Sequence, residues 1–316
     1  MPSLYMNDVL PTLARWRQQG LASALVTLVH VDGSAPRPLG SQMAVNERGD
    51  AVGNITGGCA EAAIIAEAQA CLAAGVNRLL RYGKGSPYID IRLPCGSGID
   101  VFFDVSIRSG EVARIVDANA ARQAAWIAFD FALLRATSGA REAPPACDYV
   151  RDCEPVTRIL AVGKGPLLPL LAQLGSTAEF EMSVMSPEAA TLDMARPHAR
   201  TAHALSTPDA FRCGPLDRWT AFLSLFHEHE WEPAVLAEAL QSQCFYIGAL
   251  GSRRTAATRR ETLREAGIDD ADIARIRGPV GLAIGARSPP EIALAILGEI
   301  VAAKRGALGG ATHSGA

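Results

Sequence analysis

Two glycines break the chain between a strand and an alanine-rich helix, and a cysteine follows them at once: Gly57-Gly58-Cys59-Ala-Glu61. Upstream, residues 42–45 read as a strand, Glu47-Arg-Gly49 as a turn, and residues 51–55 as a second strand. The helix is expected over 60–74, with Gly75 as its stop. Strand, glycine break and helix in that order are α/β architecture. Cys59 falls at the helix start, where unpaired N–H groups and the positive dipole end favour a thiolate or a bound anion beside it. The alternative is a buried, inert thiol. Just before, Gly33-Ser-Ala-Pro-Arg-Pro-Leu-Gly40 holds Arg37 between two prolines that stiffen the backbone on both sides. A planar guanidinium on a stiff loop suits a phosphate; an ordinary exposed loop arginine is the plainer reading.

Seven cysteines stand at 59, 71, 95, 147, 153, 213 and 244, and no C-x-x-C occurs, so neither a zinc knuckle nor a thioredoxin-like site is indicated. In a reducing compartment they are thiols. Cys71 lies within the expected helix and Cys244 opens an apolar strand, which makes both core residues. Cys147 and Cys153 fall in a loop-like stretch and are expected at the surface. Cys95 sits in Leu93-Pro-Cys-Gly-Ser-Gly98, a turn before a strand over 99–105. Cys59 and Cys95, each flanked by glycine on a tight turn, are the candidate pair for a soft metal or a transferable sulfur. The alternative packs Cys95 beneath a hairpin.

Residues 113–136 read as one or two helices, with Trp126, Phe129 and Phe131 supplying apolar bulk. Residues 137–156, with Gly139, Pro144, Pro145 and Pro155, read as loop. The expected domains are therefore 1–152 and 153–316. The second opens like a nucleotide-binding unit: a strand over 158–162, then Gly163-Lys-Gly165-Pro-Leu-Leu168, then a helix over 167–174 ended by Gly175. Leu168 replaces the third glycine of G-x-G-x-x-G, and Ser186 stands where a ribose-binding acid is usual, with Glu188 the nearest substitute. The fold expected is a Rossmann-like doubly wound parallel sheet, and these departures count against NAD(P). A strand over 219–226 leads into His227-Glu-His-Glu230. This segment lacks H-E-x-x-H spacing and reads as a solvated charged loop, with His227 the one candidate for ligand contact. A strand over 245–250, the turn at Gly251, and Ser252-Arg253-Arg254 opening a helix to 265 combine a cap with positive charge. They form a candidate anion site, unless the arginines pair with neighbouring acids. Gly278-Pro-Val-Gly281 and Gly285 offer a second glycine-rich approach. Ser288 and Glu291 form a capping box for a last helix over 289–304, stopped by Gly306.

The strings GSAPRPLGSQMAV and GNITGGCAE resemble the signature of the xanthine dehydrogenase accessory proteins (XdhC/CoxI). Phe245-Tyr-Ile-Gly-Ala-Leu-Gly-Ser-Arg-Arg254, Arg275-Ile-Arg-Gly-Pro-Val-Gly-Leu-Ala-Ile-Gly285 and Ser288-Pro-Pro-Glu-Ile292 are similar to later blocks of that family, in the same order. Departures are Ser97 for a glycine after Cys95, Pro166 for the usual histidine of Gly-x-Gly-His, and Ala283 for an aspartate. The resemblance implies a chaperone that binds molybdenum cofactor, as molybdopterin or its cytosine dinucleotide. Its role would be to help the cofactor gain sulfur from a cysteine desulfurase and to deliver it to an apo-molybdenum hydroxylase, handling rather than turnover. Arg37 would meet a phosphate or pterin carbonyl. Gly57 and Gly58 would admit the ligand to the backbone, and Cys59 with Cys95 would face molybdenum or sulfur. Gly163, Gly165, Ser252, Arg253 and Arg254 would supply anion contacts. Two alternatives are an NAD(P)-dependent oxidoreductase built on the C-terminal domain and a persulfide-carrying sulfurtransferase.

A chain of 316 residues is ample for two cores, and 49% hydrophobic with 20% charged residues describes a globular protein. The formal net charge of −3, without a basic run, gives no sign of nucleic-acid binding. The longest nearly apolar run, 21–31, is too short to span a bilayer. A cytoplasmic protein, possible as a homodimer, is expected.

Overall fold

The computed structural model describes residues 8–34, 37–86, 96–140, 144–208, 211–214, 216–226 and 231–308. The chain divides into two compact units, Met1–Pro155 and Val156–Ala316.

The first unit begins with α1 (Leu10–Gln18), β1 (Ser23–Asp32), β2 (Gln42–Asn46), β3 (Ala51–Gly53) and α2 (Glu61–Ala74). It continues with β4 (Arg78–Gly83), β5 (Gly98–Asp104) and α3 (Ser109–Ala120), then β6 (Ala125–Asp130), β7 (Arg135–Ala140) and β8 (Tyr149–Cys153). An antiparallel sheet runs β3-β2-β1-β5-β4, and a second runs β7-β6-β8. Successive side chains of a strand point to opposite faces, and here both faces are covered. Val26, Val45 and Phe103 pack beneath Ile64, Ala68 and Cys71 of α2. On the other face Leu25 and Phe102 meet Leu13 and Trp16 of α1, Ile115 of α3, and Ile127 and Phe129 of β6. Phe102 and Phe129 meet edge to face, 5.3 Å between centroids. Burying each such side chain contributes about 1.5–3 kcal/mol.

This region corrects the sequence reading. Residues 113–136 hold one helix and then a strand: Ala-Trp-Ile-Ala-Phe is buried at every position but the half-buried Trp126, and its aromatic and β-branched residues fit a pleated surface between two partners. Residues 137–156, read as loop, contribute β8 and most of β7. Cys153, expected at the surface, is consequently buried, and burial pushes its thiol up. Cys71 is in the core as expected, with burial lifting its thiol to about 11.

The second unit comprises β9 (Arg158–Gly163), α4 (Leu167–Thr177), β10 (Glu181–Ser186), α5 (Ala189–Ala195), β11 (Thr201–Ala204) and β12 (Thr220–Leu225). After these come α6 (Glu232–Leu240), β13 (Tyr246–Ala249), α7 (Arg253–Glu265), α8 (Asp270–Ile273), β14 (Ile276–Arg277) and α9 (Pro289–Leu308). The strands pair in parallel in the order β11-β10-β9-β12-β13-β14, which reverses direction between β9 and β12. That is the doubly wound order with a topological switch point, the Rossmann arrangement expected. Ile159 and Ala161 face α4 and α9, while Leu160 and Val162 face α6 and α7. Gly175 does not end α4. It lies inside the helix, where a Cβ would stand 2.4 Å from Met182 Sδ, so its role is close helix–strand approach. Gly306 likewise lies within α9. Among the described residues no helix is long and apolar enough to cross a membrane.

Candidate functional site

Strand register gathers the first unit's candidates at one end of the five-stranded sheet. Asp32 at the end of β1 pairs with Gly98 at the start of β5, Gly83 at the end of β4 pairs with the same Gly98, and Gly53 at the end of β3 pairs with Met43 near the start of β2. The loop carrying Arg37, the Gly57-Gly58-Cys59 loop and the turn before β5 therefore leave the sheet at the same end. Arg81 ties β1, β4 and β5 together there, 3.1 Å from both Asp32 and Asp100. A Cβ on Gly33 would stand 3.6 Å from Ser97, so the first and third of these segments touch. Cys95 itself lies outside the described residues, as do Ala35, Pro36 and the His227–Glu230 segment.

Arg37 is half-buried and has interactions of its own. Its loop is braced at the far side: Gly40 N–H donates to Leu28 (2.8 Å), Arg151 Nε donates to the Gly40 carbonyl (2.9 Å), and Ser41 Oγ donates to Pro38 (2.7 Å). Arg151 comes from β8, the strand the sequence did not announce.

The Gly57-Gly58-Cys59 loop is organised by Glu61, in the first turn of α2. Its carboxylate accepts from the N–H groups of Ile55 (3.2 Å), Thr56 (2.7 Å), Gly58 (2.8 Å) and Ala60 (3.3 Å), and from the Thr56 hydroxyl (2.5 Å). Asn54 Oδ1 accepts from Gly57 N–H at 2.6 Å. Burial opposes the charge on Glu61, but the Thr56 hydroxyl and the backbone donors outweigh it and hold the carboxyl below the usual carboxylate range. Gly57 and Gly58 have φ of 78° and 113°, which side chains with a Cβ rarely adopt, and the space beside Gly58 is open. Cys59 is exposed at the tip of this loop. The sequence offered it a set of free N–H groups. Of the donors on either side of it, Gly58 N–H instead goes to Glu61, and Ala60 N–H to Thr56 Oγ1 (2.9 Å) and, at longer range, to Glu61. What the loop gives Cys59 is exposure on a fixed backbone. Glu61 was legible as an acid two residues beyond Cys59, but nothing in the sequence showed four backbone donors converging on it.

In the second unit the Gly163-Lys164-Gly165 turn sits at the carboxyl end of β9, beside the switch point, as a Rossmann loop should. One of its donors is already in use, while the space beside Gly165 is open. Glu188 Oε2 accepts from Gly165 N–H (3.0 Å) and Thr191 Oγ1 (2.7 Å). A Cβ on Gly163 would meet Leu225 at 2.6 Å, so the two strand ends touch directly. Lys164 Nζ lies 5.4 Å from the centre of the Trp231 ring, which stacks on Phe226. Two strands away, Ser252 caps α7: its Oγ accepts from Thr255 N–H (3.1 Å), which binds that hydroxyl to the helix itself. Arg253 and Arg254 are exposed at the same helix start. Behind them a buried ion pair, Arg259 to Glu232 at 2.8 Å, joins α7 to α6, and Arg259 also donates to the Leu250 carbonyl (2.5 Å). These partners are 27 positions apart, beyond any spacing rule. Among the described residues no group of three or more His, Cys, Asp or Glu side chains clusters to hold a metal ion.

Residues 16–83 match the XdhC and CoxI family, and residues 159–300 match the XdhC Rossmann domain. The chain is 34% identical over 311 residues to the molybdenum cofactor insertion chaperone PaoD of Escherichia coli (strain K12), covering 95% of this chain and 90% of PaoD. It is 27% identical over 306 residues to the uncharacterized protein YqeB of the same organism, covering 96% of this chain and 47% of YqeB, about half its length. A crystal structure of a xanthine dehydrogenase from Bacillus halodurans superimposes with a TM-score of 0.77 at 21% identity, over 94% of this chain and 96% of that one, a likeness of fold. By both matched regions and by near full-length identity to PaoD, the chain belongs to the XdhC and CoxI family.

Proposed function

We propose that this protein is a molybdenum cofactor-binding chaperone that assists sulfuration of the cofactor and its insertion into a molybdenum hydroxylase. A role in molybdenum cofactor maturation follows from its relation to PaoD, aligned over 90% of that protein. The structural observation that carries the reading is the common sheet end from which the Arg37, Gly58–Cys59 and pre-β5 segments emerge. In this reading the cofactor, whether molybdopterin or its cytosine dinucleotide, is cargo. Arg37 takes a phosphate or pterin carbonyl, Gly57 and Gly58 let the ligand reach the backbone, and Cys59 with Cys95 contacts molybdenum or its sulfur. Gly163, Gly165, Ser252, Arg253 and Arg254 serve the phosphate or nucleotide portion. A cysteine desulfurase and an apo-hydroxylase are the partners, in the cytoplasm.

An NAD(P)-dependent oxidoreductase is the weaker alternative, because Leu168 replaces the third glycine of the fingerprint and Ser186 stands where a ribose-binding acid is usual. Exposure of Cys59 favours a persulfide on that thiol as a variant of the chaperone reading. The test is reconstitution: protein loaded anaerobically with molybdenum cofactor is mixed with apo-hydroxylase. Activity should appear faster than with free cofactor, and Cys59→Ala should lose the advantage. Equal rates with and without the protein overturn the proposal.

A further inference from the structure

The inner face of α9 packs Ala293, Ile296, Leu297 and Ile300 against the parallel sheet. The outer face of such a surface helix ordinarily carries charge. Here the exposed positions between Glu291 and Arg305 are Leu294, Val301 and Ala302, with Leu294 56% and Val301 45% exposed. Leu282 and Ile284 stand beside them: Leu282 N–H donates to the Ala295 carbonyl (3.1 Å), and its side chain lies over Gly298. Four of the ten large apolar side chains exposed among the described residues therefore belong to this one patch. Singly scattered exposure needs no explanation, but a contiguous group does.

We propose that this face binds the same face of a second copy of the chain, with the two α9 helices antiparallel. Glu291, Leu294, Gly298, Val301 and Arg305 follow one another in alternating steps of three and four, the spacing of a helix–helix seam. The stripe is also symmetric in charge about Gly298, with Glu291 seven positions before it and Arg305 seven after. An antiparallel, two-fold contact centred near Gly298 sets each Glu291 opposite the partner's Arg305 and brings opposite helix-dipole ends together. Parallel pairing would set like charge against like. Leu294 then meets the partner's Ala302, with Leu282, which lies over Gly298, meeting its counterpart at the centre and Ile284 beside it.

Sedimentation velocity on the full chain across the micromolar range tests the surface. The wild type should be dimeric, and Leu294→Glu or Val301→Glu should shift it to monomer with unchanged circular dichroism. The register is tested separately by charge exchange. Arg305→Glu and Glu291→Lys chains should each dimerise more weakly than wild type, and equimolar mixing should restore a dimer by re-forming both ion pairs. Glu291 also accepts from Arg287 and Ser288 N–H, so rescue on mixing separates the interface from a lost helix cap. A monomeric wild type, a dimer indifferent to Leu294→Glu, or no rescue on mixing overturns the proposal.

Discussion

At one end of each unit's sheet a glycine turn leads into a helix, and in both a glutamate accepts backbone N–H from that turn, yet the two ends differ. In the first, Glu61 lies inside the helix it caps and draws the loop inward, leaving the space beside Gly58 open and Cys59 exposed. In the second, Glu188 reaches in from the end of the neighbouring strand to take Gly165 N–H, while Gly163 abuts Leu225 and Trp231 lies over Lys164. The same local device thus presents a thiol at one end and takes up one donor of a nucleotide fingerprint at the other. A glycine motif shows where the backbone can be approached; the neighbouring side chains decide whether anything is left to approach.

The largest effect expected from breaking this contrast is at the second end. Arg259→Met leaves Glu232 as a buried, uncompensated carboxylate and should cost about 3–5 kcal/mol, read by denaturant unfolding. Alkylation of Cys59 in the folded variant should keep its wild-type rate; a changed rate would tie the two ends together. Next is Glu61→Ala, which strands several backbone donors at once and should cost about 2–3 kcal/mol while altering the alkylation rate of Cys59. Its pH dependence has a definite sign. The folded carboxyl lies below its ordinary 4.5, so its stabilisation is complete above that value and is lost as pH falls through the lower folded value. The stability gap between wild type and Glu61→Gln should be flat near neutrality and shrink on acidification; a gap that widens in acid contradicts the hydrogen-bond account. Smallest is Glu188→Ala. Glu188 is exposed, so the change should stay within about 0.5 kcal/mol. Millimolar NAD should not raise the melting temperature of the wild type, and a clear rise would reopen the dinucleotide reading.

The C-terminal sheet was legible because parallel strands buried on both faces read as short apolar runs between glycine turns, as at 158–163 and 245–251. The antiparallel hairpin at the first end was legible for a similar reason, with Glu47-Arg-Gly49 marking its turn. Residues 121–153 were not. Alanine-rich Ala-Trp-Ile-Ala-Phe satisfies helical and strand patterns alike, and only the partners β7 and β8 decide for strand. At the site, the sequence supplied the loops but not their common end, which depends on register between strands dozens of residues apart. It likewise gave no sign of Glu61 as a hub, because converging N–H groups have no residue code.

The most direct test of the central claim is equilibrium binding of molybdenum cofactor under anaerobic conditions to the wild type, Arg37→Ala, Cys59→Ala and Cys95→Ala. The account predicts near-stoichiometric binding to the wild type, loss in Cys59→Ala and weakening in Arg37→Ala. Absence of binding to folded wild type, or binding indifferent to Cys59, would contradict it.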